Sequence, residues 1–563
     1  MSSRRHNARA HALFASLLVL SLALPAPGTA AASSQELAAY ADQILSRNYP
    51  ADGPGAAALV VKDGQVVLRK GYGMANLELG VPNQPDMVFE VGSVTKQFTA
   101  AAILLLQERG KLSVQDEMTK YLPDFPTHGQ RITIEHLLTH TSGIPSYTGM
   151  PDWFTKIRQD MTVDQLIGTF RGQPLEFNPG EQWKYNNSGY ALLGAIIEKV
   201  SGKSYERFIE DEIFKPLGMT SSYYGSWSDI IPKRAAGYDK GDDGYRNTQF
   251  VSMTLPYAAG AILSTVDDLW KWDQALAGGK LLKKGSMEPM FKAFPLNSGL
   301  STHYGYGWGV FEIEGRQAVS HGGDINGFHA ELFRMPEDGL FIAILANNTG
   351  AELRGDAMAL RIASKMLGKP VEDRKTVTLD PKDLQEYAAV YRIGDVTRSV
   401  TLENGKLFAQ RSGSQKLELA ALDRDRFFYV EAGGELVFQR DAQGKISGAT
   451  LLRTFGPDEP MTRTDEPFPT ERQAAKVDPA LYDAYAGKYE MRPGFILTIS
   501  REGDQIFGQP TGQPKAELFP ESETRFFLKV VDAEIEFVRG ADGKAGELVL
   551  HQGGREIKAK RIE

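Results

Sequence analysis

Phe89-Glu90-Val91-Gly92-Ser93-Val94-Thr95-Lys96-Gln97-Phe98-Thr99-Ala100 sets a serine hydroxyl and a lysine ammonium three residues apart, directly ahead of the apolar run Ala100-Ala101-Ala102-Ile103-Leu104-Leu105-Leu106. A run with so little polar relief reads as a buried helix. Residues three apart on a helix share a face, so Lys96 is expected one turn below Ser93 with its amine at the hydroxyl. Burial beside apolar neighbours lowers a lysine's pKa and makes it a base. A helix N-terminus also favours the negative charge that a reacting serine develops.

Around this stretch the chain divides. At 563 residues it exceeds what one core holds, and two to four domains are expected. Hydrophobic residues at 42% and charged residues at 24% are ordinary for globular material. A net charge of −8 gives no reason to expect nucleic acid as a partner. Arg4, Arg5 and Arg9 precede an apolar run over residues 12–24, and small residues follow Pro25, Pro27 and Gly28. That order reads as a secretory signal peptide over residues 1–32, with no stable membrane span once it is cleaved. There is no cysteine, which excludes disulfides and thiol catalysis. An exported, cysteine-free chain is expected to be bacterial and periplasmic or secreted.

Residues 34–47 read as an amphipathic helix, stopped by Asn48, Pro50 and Gly53. Two apolar runs, 56–61 and 65–70, flank Asp63-Gly64, a tight-turn hairpin signal. Thr133 caps a helix over 132–138, which Thr139-His140-Thr141-Ser142-Gly143-Ile144-Pro145 ends. Tyr185-Asn186-Asn187 leads into an apolar helix over 191–200, and a helix capped near Ser264-Thr265, with Asp267 and Asp268 in the cap, runs to Ala277. Strand-like 330–334 and 340–346 follow His321-Gly322-Gly323-Asp324, and a helix over 352–367 closes this half. Strands at both ends with helices between predict an α+β domain over 33–370, an antiparallel sheet completed from both termini and covered by helices.

The remainder is short strands and turns, and it is duplicated. Tyr387-Ala388-Ala389-Val390-Tyr391 recurs as Tyr485-Ala486-Gly487-Lys488-Tyr489, and Arg426-Phe427-Phe428 as Arg525-Phe526-Phe527. The offsets, 485 − 387 = 98 and 525 − 426 = 99, are nearly constant. Two tandem all-β domains, 380–466 and 478–563, are predicted, with strand spacing suited to small barrels and the Arg-Phe-Phe repeats in their cores.

Acyl transfer needs a nucleophile, a proton shuttle and an oxyanion hole. Ser93 with Lys96, the phenol and amide of Tyr185 and Asn187, and the strand edge at His321-Gly322-Gly323 are candidates for these. His136 and His140 stand four apart, but no Glu follows the first, so no metal site is expected and His140 reads as a turn residue. No cofactor is expected.

Ser93-Val94-Thr95-Lys96, Tyr185-Asn186-Asn187 and His321-Gly322-Gly323 stand in the order and spacing of penicillin-recognising serine hydrolases. The chain resembles their class C β-lactamase-related branch, which includes D-aminopeptidases, D-alanyl-D-alanine carboxypeptidases and esterases. Leu137 to Pro145 and Tyr304-Gly305-Tyr306-Gly307-Trp308 also resemble stretches of that branch, and the tail resembles lipocalin-like barrels appended to some members. The resemblance implies a β-lactamase/transpeptidase-like fold and an acyl-enzyme on Ser93. It implies that Lys96 and Tyr185 relay the proton, that Asn187, His321, Gly322 and Gly323 bind substrate, and that the N–H groups of Ser93 and Asp324 form the oxyanion hole. His321 stands where β-lactamases of this branch carry lysine, as in D-aminopeptidases. The expected activity is therefore a D-residue-tolerant peptidase on short peptides. A β-lactamase, a carboxypeptidase, an esterase and a non-catalytic binding protein are the rivals. A small-molecule or short-peptide partner is expected, and a homo-oligomer is allowed. The resemblance further implies that the second barrel narrows the site.

Overall fold

The computed structural model describes residues 32–563 apart from 151–152, 242–243, 371–375, 395, 413–415, 431–433, 454–455, 469–473, 493–494, 512–514, 530–532, 541 and 553–554. The signal-peptide segment expected at 1–32 lies, but for Ala32, outside the described residues.

A six-stranded antiparallel sheet organises the first half. Its strands are β1 (Ala56–Lys62), β2 (Gln65–Tyr72), β3 (Gly309–Ile313), β4 (Arg316–Ile325), β5 (Phe328–Met335) and β6 (Leu340–Ala346), in the order β3-β4-β5-β6-β1-β2. The hairpin turn is where Asp63-Gly64 predicts it, with positive φ at both residues (51° and 74°). β1, β5 and β6 are buried without alternation because the sheet is covered on both faces, and β5 carries the buried polar residues His329, Glu331 and Arg334. On one face, Ala56, Ala58, Val60, Ile342 and Ile344 pack on α1 (Ser34–Asn48) and α5 (Gly355–Met366). On the other, Ala57, Leu59, Val61, Ala343 and Leu345 join the main core with α2 (Thr95–Glu108), α3 (Asn187–Ser201) and α4 (Val266–Gly278).

α2 is the central helix. Every residue from Thr95 to Leu106 is buried, so the 100–106 run is apolar because no face of it meets water. α3 begins earlier than its apolar run because Asn186 caps it, its Oδ1 accepting the Gly189 N–H at 2.7 Å. α5 begins later than the pattern suggests, at Gly355. In α4 the cap is Thr265 alone. Asp267 instead forms a two-pronged pair with Arg69, and Asp268 accepts from the Ser221 N–H and the Ser222 hydroxyl. Both aspartates tie elements together; neither caps.

The second half is two closed eight-stranded antiparallel barrels, Ala389 to Thr464 and Gly487 to Arg561. The duplication persists in detail. The Tyr391 and Tyr489 hydroxyls donate to the carbonyls of Tyr387 (2.7 Å) and Tyr485 (2.8 Å). The Tyr387 and Tyr485 hydroxyls in turn donate to the carbonyls of Arg424 (2.8 Å) and Glu523 (2.7 Å). Each barrel is plugged at that end by aromatic rings: Tyr387, Tyr391, Phe427 and Phe438 in the first, Tyr485, Tyr489, Phe526 and Phe537 in the second.

Candidate active site

Ser93 sits in a tight turn, Gly92–Val94, that leads into α2. Gly92 has φ +49°, and a Cβ there would lie 3.0 Å from the Asp324 nitrogen. β4 passes so close behind the turn that a Cβ on Gly323 would lie 2.0 Å from the Val91 carbonyl oxygen and 2.9 Å from the Ser93 nitrogen. The two backbones therefore meet through paired glycines, which brings the amides of Ser93 and Asp324 to one place. The side of Gly322 faces the other way, towards Glu331 on β5.

Lys96 is fully buried and meets three groups: Ser93 Oγ at 3.0 Å, Asn187 Oδ1 at 2.8 Å and the Ala259 carbonyl at 2.9 Å. The rings of Tyr185 and Tyr190 roof it, with Nζ 4.7 Å and 5.4 Å from their centroids. No carboxylate is among its partners, and burial pushes its pKa well below the usual lysine value. A neutral amine has two N–H groups and one lone pair. Asn187 Oδ1 and the Ala259 carbonyl are acceptors only, so they take both N–H groups. In that form the lone pair is left to the Ser93 hydroxyl; as an ammonium, Lys96 donates to all three groups.

Tyr185 precedes α3, and its phenol interacts with the Ser93 side chain. Burial raises its pKa, so the phenol stays protonated. Asn187 is oriented by its neighbours: its N–H donates to Ser146 Oγ and its Nδ2 to Thr148 Oγ1, both at 3.2 Å, which turns Oδ1 to Lys96.

His321 is buried, and its partners fix its protons. Nδ1–H donates to the Gly322 carbonyl (2.6 Å), and Nε2 accepts from the Tyr304 hydroxyl (2.8 Å). Burial lowers its pKa to about 3, so it is neutral at physiological pH. Position 321 therefore holds no cation. His140, with φ +62°, accepts the Asn186 N–H on Nδ1 (3.1 Å) and packs against the rings of Tyr185, Tyr190 and Tyr304 at 4.5, 5.3 and 4.7 Å. His136 Nδ1 accepts the Thr133 N–H as part of a helix cap, so the two histidines do not converge. Beyond Gly323, Asp324 is held by His329 Nδ1 (2.8 Å) and Arg354 Nη2 (3.0 Å), which anchors the end of β4.

Ser93, Lys96, Tyr185, Asn187, His321, Gly322, Gly323 and Asp324 thus come together. Sequence reasoning missed Ala259, Ser146, Thr148 and the place of Tyr304. A backbone carbonyl and two ordinary hydroxyls carry no signal of type. Tyr304 lies in a glycine-rich stretch whose Gly307 abuts the Lys96 carbonyl, a Cβ there lying 2.8 Å from it. Among the described residues, the barrel that touches the site's wall is the first. Its Gly456 lies against Trp183, and Asp458 Oδ1 is 3.4 Å from His303 Nε2.

A helix-top serine bonded to a buried lysine of lowered pKa, with a phenol and a glycine-lined strand edge, defines a serine hydrolase. The chain belongs to the beta-lactamase family, whose sequence profile matches residues 45–365. A second profile, described as a domain of unknown function (DUF3471), matches residues 471–561, which hold the second barrel. Penicillin-binding protein 4* of Bacillus subtilis (strain 168) is 28% identical over 527 residues, covering 90% of this chain and 94% of its own. The putative penicillin-binding protein PbpX of the same organism is 36% identical over 54% of this chain and 74% of its own. Among solved structures, the octameric penicillin-binding protein homologue from Pyrococcus abyssi superposes with a TM-score of 0.52 at 27% identity, over 76% of this chain and 99% of that one. The D-amino acid amidase from Ochrobactrum anthropi SV3 shares the fold at 23% to 24% identity, with TM-scores of 0.50 to 0.52 over 59% to 60% of this chain and 97% to 98% of that one.

Proposed function

We propose that this serine hydrolase works through an acyl-enzyme on Ser93 and cleaves amides in short peptides, with tolerance for D-residues. The Ser93 proton passes to the Lys96 lone pair as Oγ attacks the scissile carbonyl. The N–H groups of Ser93 and Asp324 receive the oxyanion. Tyr185 gives its proton to the leaving amine and is reprotonated by Lys96, and water then releases the acyl group by the reverse relay. Asn187 holds the lysine, and the Nδ2 hydrogen that Thr148 does not take is left for the substrate.

The observation that carries the substrate reading is the neutral, Tyr304-bonded His321. A β-lactam or a carboxypeptidase substrate has a carboxylate beside the scissile bond, and a cation there would anchor it. An uncharged imidazole suits a substrate whose neighbouring group is an amide or ester. The names of the relatives favour a second reading, acylation by penicillins. A panel of D- and L-aminoacyl amides, short peptides, p-nitrophenyl esters and nitrocefin, run against wild type and Ser93→Ala, tests both. Hydrolysis of aminoacyl amides that vanishes in Ser93→Ala supports the first reading. Turnover of nitrocefin alone, or a stable fluorescent-penicillin adduct without amidase activity, supports the second. Activity that survives Ser93→Ala refutes the mechanism. The basic, apolar and small-residue start supports export to the periplasm or medium; a mature N-terminus near residue 32 in that fraction would test it.

A further inference from the structure

The two barrels keep the same plugged end and differ at the other. In the first, Arg398, Arg411, Tyr429 and Glu459 occupy the end opposite the plug. Strand register identifies their counterparts. Arg398 pairs with Tyr391 and Arg411, as Leu497 pairs with Tyr489 and Pro510. Tyr429 opposes Leu419 as Leu528 opposes Leu518, and Glu459 opposes Leu451 as Ile557 opposes Leu550. Arg, Arg, Tyr and Glu in one copy thus replace Leu, Pro, Leu and Ile in the other.

The exchange is unfavourable on its own terms. Arg398 is only 8% exposed and lies two residues before the core residue Val400, on the same face of its strand. Its Nη1 donates to the Tyr429 hydroxyl at 2.9 Å, its Nη2 reaches Glu459 Oε2 only at 3.4 Å, and its Nε is buried with no acceptor among the described residues. Glu459 is held more closely by Arg453, at 2.6 Å. Arg411 stands directly across from Arg398 and has no ion-pair partner among the described residues. Like charges directly opposite in a ladder repel, and a buried guanidinium without a full set of acceptors is costly. Asp458, the remaining acid nearby, is engaged by the Arg453 N–H (2.9 Å) and His303. Arg398 and Arg453 therefore share Glu459, and Arg411 stands beside them without an acid among the described residues, at an end whose connecting segment lies on Trp183. The Trp183 ring is 6.5 Å from that of Tyr185.

We propose that this end of the first barrel is a carboxylate-binding subsite, in which Arg398 and Arg411 take the far carboxylate of a short peptide whose scissile amide lies at Ser93. The guanidinium fork matches a carboxylate, and the Tyr429 O–H supplies a further donor. This rests on the peptidase reading above, in which no cation meets a carboxylate at position 321.

The test titrates Ser93→Ala protein by calorimetry with tri- to pentapeptides as free acids and as C-terminal amides, with inorganic phosphate as competitor. The acids should bind about tenfold more tightly than the amides. Arg411→Gln, at an exposed residue that leaves the fold intact, should remove most of that preference. So should the double exchange to the second barrel's residues, Arg398→Leu with Glu459→Ile. In active protein the acid-over-amide preference should appear in KM and not in kcat. Equal binding of acids and amides, or an acid preference untouched by both variants, overturns the subsite. Displacement of the acids by millimolar phosphate without any peptide-length dependence assigns a general anion site and overturns the peptide assignment. Because binding is read in Ser93→Ala, an acid preference without any peptide hydrolysis in wild type would refute the peptidase reading and leave the subsite standing.

Discussion

Adjacent glycines in β4 offer a sharp discrimination. A Cβ at Gly323 would lie 2.0 Å from the Val91 carbonyl oxygen and 2.9 Å from the Ser93 nitrogen, both backbone atoms of the nucleophile turn. Real contacts of this kind are not shorter than about 3 Å, so Gly323→Ala must part β4 from the turn by roughly 1 Å. That movement separates the two amides proposed to hold the oxyanion. Loss of one such donor costs about 10²–10³ in kcat, or about 2.7–4 kcal/mol, and a 1 Å misplacement alone costs about 10². A Cβ at Gly322 would instead meet Glu331 Oε2 at 3.0 Å, the movable end of a side chain on the opposite face. Gly322→Ala should therefore change kcat by no more than about threefold, while its melting temperature reports any strain at Glu331. The assay is kcat/KM on the best aminoacyl amide from the panel, with the acylation burst to separate acylation from turnover. If Gly323→Ala keeps kcat within a few-fold of wild type, or if the two variants fall equally, the paired-backbone oxyanion site is wrong.

Lys96→Met should lower kcat by roughly 10²–10⁴ without lowering the melting temperature, because it removes a buried amine that has no carboxylate partner; a lower melting temperature with retained activity would refute its role as base. The His321 pKa of about 3 means the ring stays neutral from pH 8 to pH 5, so relative affinity for acid and amide substrates governed by position 321 should be flat there; a rise in acid affinity as pH falls through 6.5 would show a protonated ring. The same depression bears on stability. The unfolded chain takes up a proton at His321 near pH 6.5 and the folded chain does not, so its contribution is present above that pH and is lost as pH falls towards 3, which acid-dependent melting of wild type and His321→Gln should show. Arg440 holds both Glu386 (2.9 Å) and Asp425 (2.8 Å) at the plug of the first barrel, so Arg440→Met should cost that barrel about 2 kcal/mol in denaturant titration and leave kcat unchanged.

The fold was legible where one physical rule dominated. The 100–106 run had to be buried, Asp63-Gly64 had to turn, and a 98–99 offset had to mean two copies of one unit. Helix ends were legible only where a cap was a side chain with a clear follower. Asn186 stands in the middle of a motif, and its capping role was masked by the interest of its neighbours, so α3 was placed four residues late. Asp267 and Asp268 mimic a cap by type, yet distant partners, Arg69 and Ser221–Ser222, claim them. The difference between the barrels was invisible for another reason: the landmarks that reveal a duplication are its shared core residues, and Arg398 and Arg411 carry no landmark.

At the site, spacing could list Ser93, Lys96 and Tyr185 but could not say which way the proton moves. Lysine and tyrosine are each a base in one protonation state and an acid in the other. Burial favours the neutral amine, and in that form two acceptors without protons, Asn187 Oδ1 and the Ala259 carbonyl, use up its N–H groups and leave its lone pair to Ser93. One of these is backbone, and the other owes its orientation to Ser146 and Thr148, forty residues away in sequence. The phenol, kept protonated by its burial, is the group that the proposed mechanism uses as the acid. The same reasoning holds at His321. Its residue type allows a cation, but a hydroxyl donating to Nε2 and a carbonyl accepting from Nδ1–H are satisfied by the neutral ring. Protonation would place two hydrogens between Nε2 and the Tyr304 oxygen unless that hydroxyl turned away. Charge at this site is therefore governed by burial and by the partners of Lys96 and His321, and the substrate polarity proposed above is read from those partners more than from the motif.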